Sequence, residues 1–322
     1  MHIGIDIGGT NIKALAITRE GNELARRSMS TGDGAEPAYK SAVPELVADL
    51  ERAFGPAVSV GISSPGLAAR DARSIQWMMG RMAGVMGLDW TAHLKRASQV
   101  FVLNDAHAAL LGEAWLGAAK DKSDVVMLTL GTGVGGAIIA GGKLLKGHLG
   151  RAGHIGHISL DPAGVLDIVN TPGSLEDAFG DCTIASRSDR RYGSTRDLVT
   201  ALSTDPLAKK IWDDSVRALA AGMVSIANVV DPKLFVLGGG IMAAGGCVAH
   251  ASATTTRPLR VAADGCQTRP RPRHTLRLRR RIGRGPQRNP RRHSLTPHTF
   301  NRNSHDTFAR FSAQKSHPDR HR

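Results

Sequence analysis

The sequence predicts an α/β fold, and three observations carry the prediction. Short apolar runs suited to strands alternate with longer segments whose apolar residues recur at helical spacing. The strand-like runs end in glycine turns or Asx pairs instead of running on. One design, strand then glycine turn then strand, occurs twice, as IGIDIGGTNIKALAI from residue 3 and as DVVMLTLGTGVGGAIIAGGKLL from residue 124, and hints at two related halves. A chain of 322 residues is long enough for two domains with separate cores.

Taken in order, Ile3, Ile5 and Ile7 alternate with Gly4 and Asp6, and Ile12, Leu15 and Ile17 resume the apolar pattern after Gly8-Gly9. Two strands joined by a tight turn follow from this. From Pro44 to Phe54, Leu46, Val47, Leu50 and Phe54 fall at helical spacing, and VSVGISSPG then reads as a strand entering a turn. QVFVLNDAHAALLGEAWLGAA is a strand that ends at Asn104-Asp105, with an Ala/Leu-rich helix continuing to about Ala119. Asp205 and Pro206 have the character of an N-cap and first helical residue. Leu207, Ile211, Leu219, Met223, Ile226 and Val230 supply the apolar stripe of a long helix that stops at Asp231-Pro232. KLFVLGGGI is a last strand emptied into three glycines.

The formal charge of +14 is not spread evenly. Residues 247–322 hold 18 Lys and Arg against 3 Asp and Glu, leaving 24 against 25 in residues 1–246. The tail has no sustained period and few apolar residues, and it cannot bury enough surface to offset the entropy of ordering. It reads as disordered, or as a shifted reading frame beginning near Gly246, which would strip the product of its closing apolar elements and inactivate it. Its cations could neutralise nucleic-acid phosphates, yet no specific nucleic-acid partner is expected. Cys182, Cys247 and Cys266 have no C-x-x-C spacing and are too few for a disulfide framework. The first strand begins at residue 3, leaving no room for a signal peptide, and no uninterrupted apolar run approaches a membrane span. The expectation is a cytoplasmic protein without a membrane partner.

The turn Gly8-Gly9-Thr10-Asn11 can gather backbone N–H groups and a hydroxyl into a nest for phosphate oxygens. Asp6 just before it could hold a hydrated metal ion, and Lys13 just after it is a charge partner. An ordinary hairpin turn explains the same residues. Gly131-Thr132-Gly133-Val134-Gly135-Gly136 satisfies G-x-G-x-x-G, but a strand follows instead of a helix, and the first acidic residue after it is Asp161. That context argues against a dinucleotide site. No Walker A pattern is present. Asp105, at a strand-to-helix junction, could take a proton from an attacking hydroxyl, or Asn104-Asp105 could simply cap the helix.

Together, DIGGTNIK, Pro65-Gly66, LND, LGTGVGG, GRAGHIGHISL, GSLE and LGGGI, in this order over about residues 1–246, resemble the ROK family of sugar kinases and repressors. That family lies in the actin-like and hexokinase-like ATPase superfamily. The resemblance implies a two-domain actin-like (ribonuclease H-like) fold with a nucleotide and sugar cleft. The expected divisions are 1–115, 116–246 with the second phosphate loop, and the basic tail 247–322. It further implies ATP bound by Gly8, Gly9, Thr10 and Lys13, by Gly131, Thr132 and Gly133, and by Gly238, Gly239 and Gly240 on the adenosine side. Asp6 would stand near Mg2+, through water. Gly66, Asn104, Asp105, His154, His157 and Glu176 would hold the sugar, with Asp105 as general base. The implied activity is ATP-dependent phosphorylation of a hexose or related sugar, and a homodimer is compatible with it. The alternative is a non-catalytic sugar-responsive regulator, although this chain begins on the strand before which the repressors carry a helix-turn-helix.

Two departures stand out. His154 occupies the place of the family's Glu in E-[IV]-G-H, so a carboxylate acceptor is replaced by an imidazole. Asp167, Val169 and Ser174 occupy the places of the three cysteines that build a zinc site with His157 in many members, so no zinc site is expected. His148, His154, His157 and Asp161 are the remaining donor set, at spacings more usual for polar contacts.

Overall fold

The computed structural model describes residues 1–32, 38–80, 82–244 and 261–263. The first half opens with β1 (His2–Ile7), β2 (Asn11–Ile17) and β3 (Glu23–Ser30), continues through α1 (Tyr39–Phe54) and β4 (Ser59–Ser64), and adds the small pair β5 (Leu67–Ala68) and β6 (Ile75–Trp77). It closes with α2 (Trp90–His93), β7 (Phe101–Asn104) and α3 (Asp105–Leu116). The sheet order is β3-β2-β1-β4-β7, with β1, β4 and β7 parallel. Ile3, Ile5 and Ile7 are fully buried and share a core with Val43, Leu46 and Leu50 of α1. Gly4 and Asp6, on the opposite face, are buried as well, as befits a sheet covered on both sides.

The second half repeats the plan. β8 (Val125–Leu130), β9 (Val134–Ala140) and β10 (Lys143–Leu144) are followed by the short helices α4 (Leu175–Phe179), α5 (Ile184–Arg187) and α6 (Thr195–Thr200). Then come the 25-residue α7 (Pro206–Val230), β11 (Leu234–Gly238) and β12 (Val261–Ala263). The order β10-β9-β8-β11-β12 matches the first sheet strand for strand, with β8, β11 and β12 parallel. The long segment between β10 and α7 has no equivalent of similar length in the first half. α3 belongs to both cores: Ala106 and Leu110 pack with Val125, Met127 and Val236, while Trp115 packs against Leu15 and Ile17.

Several elements differ from the sequence expectation, α1, α3 and β3 among them. α1 begins at Tyr39, so Pro44 lies inside it. A proline there denies the Lys40 carbonyl its helical donor. His93 restores the bond, with Nε2 donating to that carbonyl at 2.8 Å. α3 ends at Leu116, short of Ala119, where the Gly117 N–H closes on the Glu113 carbonyl at 3.0 Å. β3 was not anticipated: ELARRSMS is mostly exposed and has no apolar alternation, and its arginines suit an edge strand. α7 has the expected ends, with Asp205 accepting from the Leu207 N–H and Asp231 in the left-handed region. The expected tail lies outside the described residues, apart from β12. No described helix is long and apolar enough to cross a membrane.

Candidate active site

β7 delivers Asn104 and Asp105 to the carboxyl edge of the first sheet. Asn104 Oδ1 caps α3 by accepting from the Ala106 N–H at 3.0 Å, while Nδ2 donates to the Gly66 carbonyl at 3.0 Å. The cap and the site wall are therefore the same side chain. Gly66 has φ +95°, and a Cβ there would lie 2.8 Å from the Trp77 carbonyl oxygen. Half-exposed Asp105 opens the helix, its Oδ1 accepting from the Ala106 N–H at 2.8 Å.

Across from it stands the second glycine turn. The carbonyls of Gly131 and Thr132 accept from the N–H groups of Asp181 and Cys182, at 3.0 and 2.8 Å. In a trans peptide N–H points opposite to C=O, so the Thr132 and Gly133 N–H groups face away from residues 181–182. Arg187 braces this frame by donating to the Gly180 carbonyl at 2.9 Å, to Thr183 Oγ1 at 3.0 Å and to Ser215 Oγ at 2.6 Å. Glu176, in the first turn of α4, accepts from the Val134 N–H at 2.9 Å.

These parts enclose a cavity of about 490 Å³. Asn104 and Asp105 line one side, Gly131, Thr132, Gly133, Gly239 and Gly240 another, and His154, His157 and Glu176 a third. Gly238 is not among its walls, being buried as the last residue of β11 opposite Thr129. Gly66 lines a neighbouring cavity of about 690 Å³ that shares His154 and His157 with the first. A third cavity of about 700 Å³, beyond the turn, shares Gly131, Thr132 and Gly240 and is walled by Asp181, Thr195 and Ile241. Asp181 and Thr195 belong to no recognisable motif, and the sequence carried no signal for them.

The first glycine turn is not a wall of the 490 Å³ cavity. Gly8 donates to the Asn11 carbonyl at 3.0 Å, and Thr31 holds the turn through Oγ1 to the Gly8 carbonyl at 2.7 Å and N–H to the Thr10 carbonyl at 2.9 Å. Gly9 is half-buried and Thr10 exposed. Asp6 is buried, accepts from Ser63 Oγ at 3.0 Å and pairs across the hairpin with Lys13. Because β1, β4 and β7 are parallel, this turn shares a sheet edge with Asn104, two strand spacings or about 10 Å away. A carboxyl oxygen donor at that edge is of the type that fits a hydrated Mg2+.

The imidazoles form a half-buried pair. His154 and His157 stack with centroids 6.1 Å apart. Burial lowers the His154 pKa to about 4, with the neighbouring His107 and His157 adding to the effect, so its ring is neutral near pH 7. His154 Nε2 is buried without a hydrogen-bond partner. Burial also lowers the His107 pKa, and its Nε2 lies 3.0 Å from the Ala152 carbonyl oxygen, joining α3 to the segment that carries His154.

The donors do not fit zinc. Val169 has no ligating atom in its side chain, Ser174 Oγ is engaged as the α4 cap at 3.2 Å from the Asp177 nitrogen, and Asp167 is committed to His157 and backbone N–H groups. Among the described residues no three His, Cys, Asp or Glu side chains gather as a metal site, so His148, His154, His157 and Asp161 do not form one.

Comparison with known proteins gives concordant results. The ROK family profile matches residues 2–276, past the change of composition near Gly246. The glucokinase of Streptomyces coelicolor is 30% identical over 270 residues, covering 74% of this chain and 81% of that protein. The N-acetylmannosamine kinase of Shigella boydii is 32% identical over 253 residues, covering 77% and 85%. The crystal structure of a ROK family glucokinase from Streptomyces griseus, in complex with glucose and AMPPNP, is similar with a TM-score of 0.66 and 27% identity, covering 81% of this chain and 93% of that one.

Proposed function

The chain belongs to the ROK family, and from that premise we propose an ATP-dependent sugar kinase in which Asp105 is the general base. One observation carries the assignment: Asp105 and the Gly131–Gly133 turn line the same cavity, a carboxylate facing a phosphate nest. Glucokinase and N-acetylmannosamine kinase relatives support a hexose or amino-sugar acceptor.

In this reading Asn104, His154, His157 and Glu176 orient the sugar, with Gly66 at the edge of its pocket. Asp105 takes the proton of one hydroxyl as that oxygen attacks the γ-phosphorus and ADP leaves. The outward N–H groups of Thr132 and Gly133 receive phosphate oxygens. Gly239 and Gly240 shape the passage to the third cavity, which is suited to the adenosine. Asp6 would hold Mg2+ through water, and the ion supplies charge neutralisation to the phosphates. The Gly8–Thr10 turn and Lys13 complete the nucleotide site when the two halves close over the substrates, a motion that excludes water from the transfer.

The test is ADP release with ATP-Mg and a panel of glucose, mannose, N-acetylglucosamine and N-acetylmannosamine. Asp105→Ala should lower kcat by about 10²- to 10⁴-fold while nucleotide binding, followed by fluorescence, persists. Near-normal turnover in the variant would sink the assignment of the base.

A further inference from the structure

Residues 159–174 close on themselves around one carboxylate. Ser159 bridges to Ser174 and Leu166 to Pro172, and Ser159 Oγ donates to the Pro172 carbonyl at 2.7 Å. At the centre the Asp167 side chain has no exposure. Its Oδ1 accepts from the N–H groups of Val169 and Thr171 at 2.9 and 2.8 Å, and its Oδ2 lies 2.8 Å from His157 Nδ1. The Ser174 side chain is a further partner. Burial alone would raise this carboxyl's pKa, but the bonds from Thr171, His157 and Val169 outweigh it and hold the pKa below the ordinary value. A buried carboxylate is tolerated only when its lone pairs are filled in this way.

A carboxylate is an acceptor only, so His157 Nδ1 must carry the proton of the 2.8 Å bond. With Nδ1 as the donor, the neutral imidazole has Nε2 as its one acceptor, and His157 lines two of the cavities. The His154 ring lies beside that of His157, with centroids 6.1 Å apart and planes 25° from parallel.

We propose that Asp167 does here what a structural metal does in zinc-bearing relatives: it pins the 159–174 loop and fixes the His157 tautomer, making Nε2 a dedicated acceptor for a hydroxyl of the sugar. Asp167 is thus a positioning residue, and the inference rests on the sugar-kinase reading above. It accounts for the loop's closure although the three family cysteine positions hold Asp167, Val169 and Ser174.

The experiment combines three readouts on the full chain. Nitrogen-15 NMR of the wild type should show His157 protonated at Nδ1 and bare at Nε2. Asp167→Asn keeps an oxygen for the Val169 and Thr171 N–H groups but presents an amide N–H to Nδ1. It should move the proton to Nε2 and raise the sugar KM about 10- to 100-fold, with the ATP KM unchanged. Metal analysis after dialysis should find no stoichiometric zinc, and a chelator should leave the melting temperature unchanged. A wild-type His157 protonated at Nε2, an unaltered sugar KM in Asp167→Asn, or stoichiometric zinc whose removal lowers the melting temperature would each overturn the proposal. Failure of the wild type to phosphorylate any sugar would count against the kinase reading instead, and the NMR and metal readouts would still decide on Asp167.

Discussion

The two glycine turns sit at the same point of two matching sheets but are held differently. The first is held within its own meander, by Gly8 to Asn11 and by Thr31 just beyond β3. The second is framed by residues 181–182, some fifty positions on in the chain, and that frame is braced by Arg187. The difference originates in the long segment between β10 and α7, which also carries His154, His157 and Glu176. A duplicated scaffold supplies the edges with Asn104, Asp105 and the turns, and an insertion in one copy adds His154, His157 and Glu176 to the cavity.

The largest expected effect tests how far the copies correspond. Gly66 follows β4 with φ +95°, and Gly239 follows β11 with φ +98°. A Cβ on Gly239 would lie 2.7 Å from the Leu130 backbone nitrogen, whereas two of the three near neighbours of Gly66 are side chains, Ile75 and Met78. Gly239→Ala should cost at least about 2 kcal/mol in urea denaturation, and Gly66→Ala less, since three backbone atoms oppose the first Cβ and one, the Trp77 carbonyl oxygen, opposes the second. Equal costs would erase the distinction.

Next comes the bracing of each turn. Arg187→Ala should raise the KM for ATP about tenfold with little change in the sugar KM, a cost near 1.4 kcal/mol in nucleotide binding. Thr31→Val removes one hydrogen bond from the first turn and should cost about 1 kcal/mol of stability, with a smaller rise in the ATP KM. The reverse ranking would locate the dominant nucleotide contacts in the first half.

A pH titration sharpens the contrast further. His154 has a folded pKa of about 4, below its unfolded value near 6.5, so the unfolded state binds more protons between these values. Its contribution is intact above pH 6.5 and is lost as the pH falls towards 4; buried His107 acts in the same direction. Urea midpoints should decline over that window, and His154→Gln should flatten the decline. The smallest effect belongs to β3: removing the exposed Arg27–Asp49 pair, 2.7 Å apart, should leave the urea midpoint unchanged within error.

Much of this was legible because local chemistry decided it. The hairpins follow from alternation across a glycine turn, and the ends of α7 follow from Asp205-Pro206 and Asp231-Pro232. The site residues Asn104, Asp105, His154, His157 and Glu176 were reached through motif order, and they do line one cavity. What escaped was set by distant partners. Pro44 sits within α1, and His93 comes back from α2 to fill the carbonyl it orphans. β3 has no core face to announce it. Arg187 and Asp167 act through loops that no periodicity marks, and the sequence alone showed only that cysteines were missing.

The helix that starts at Asp105 has a further consequence. One flank is embedded among Val125, Met127 and Val236, while Trp115 grips Leu15 and Ile17. It is an axle seated in two bearings, with the Asp105 carboxyl group mounted on its tip. Softening either bearing must tilt that tip, so a core-loosening substitution on either side should dull turnover even when it lies far from every ligand.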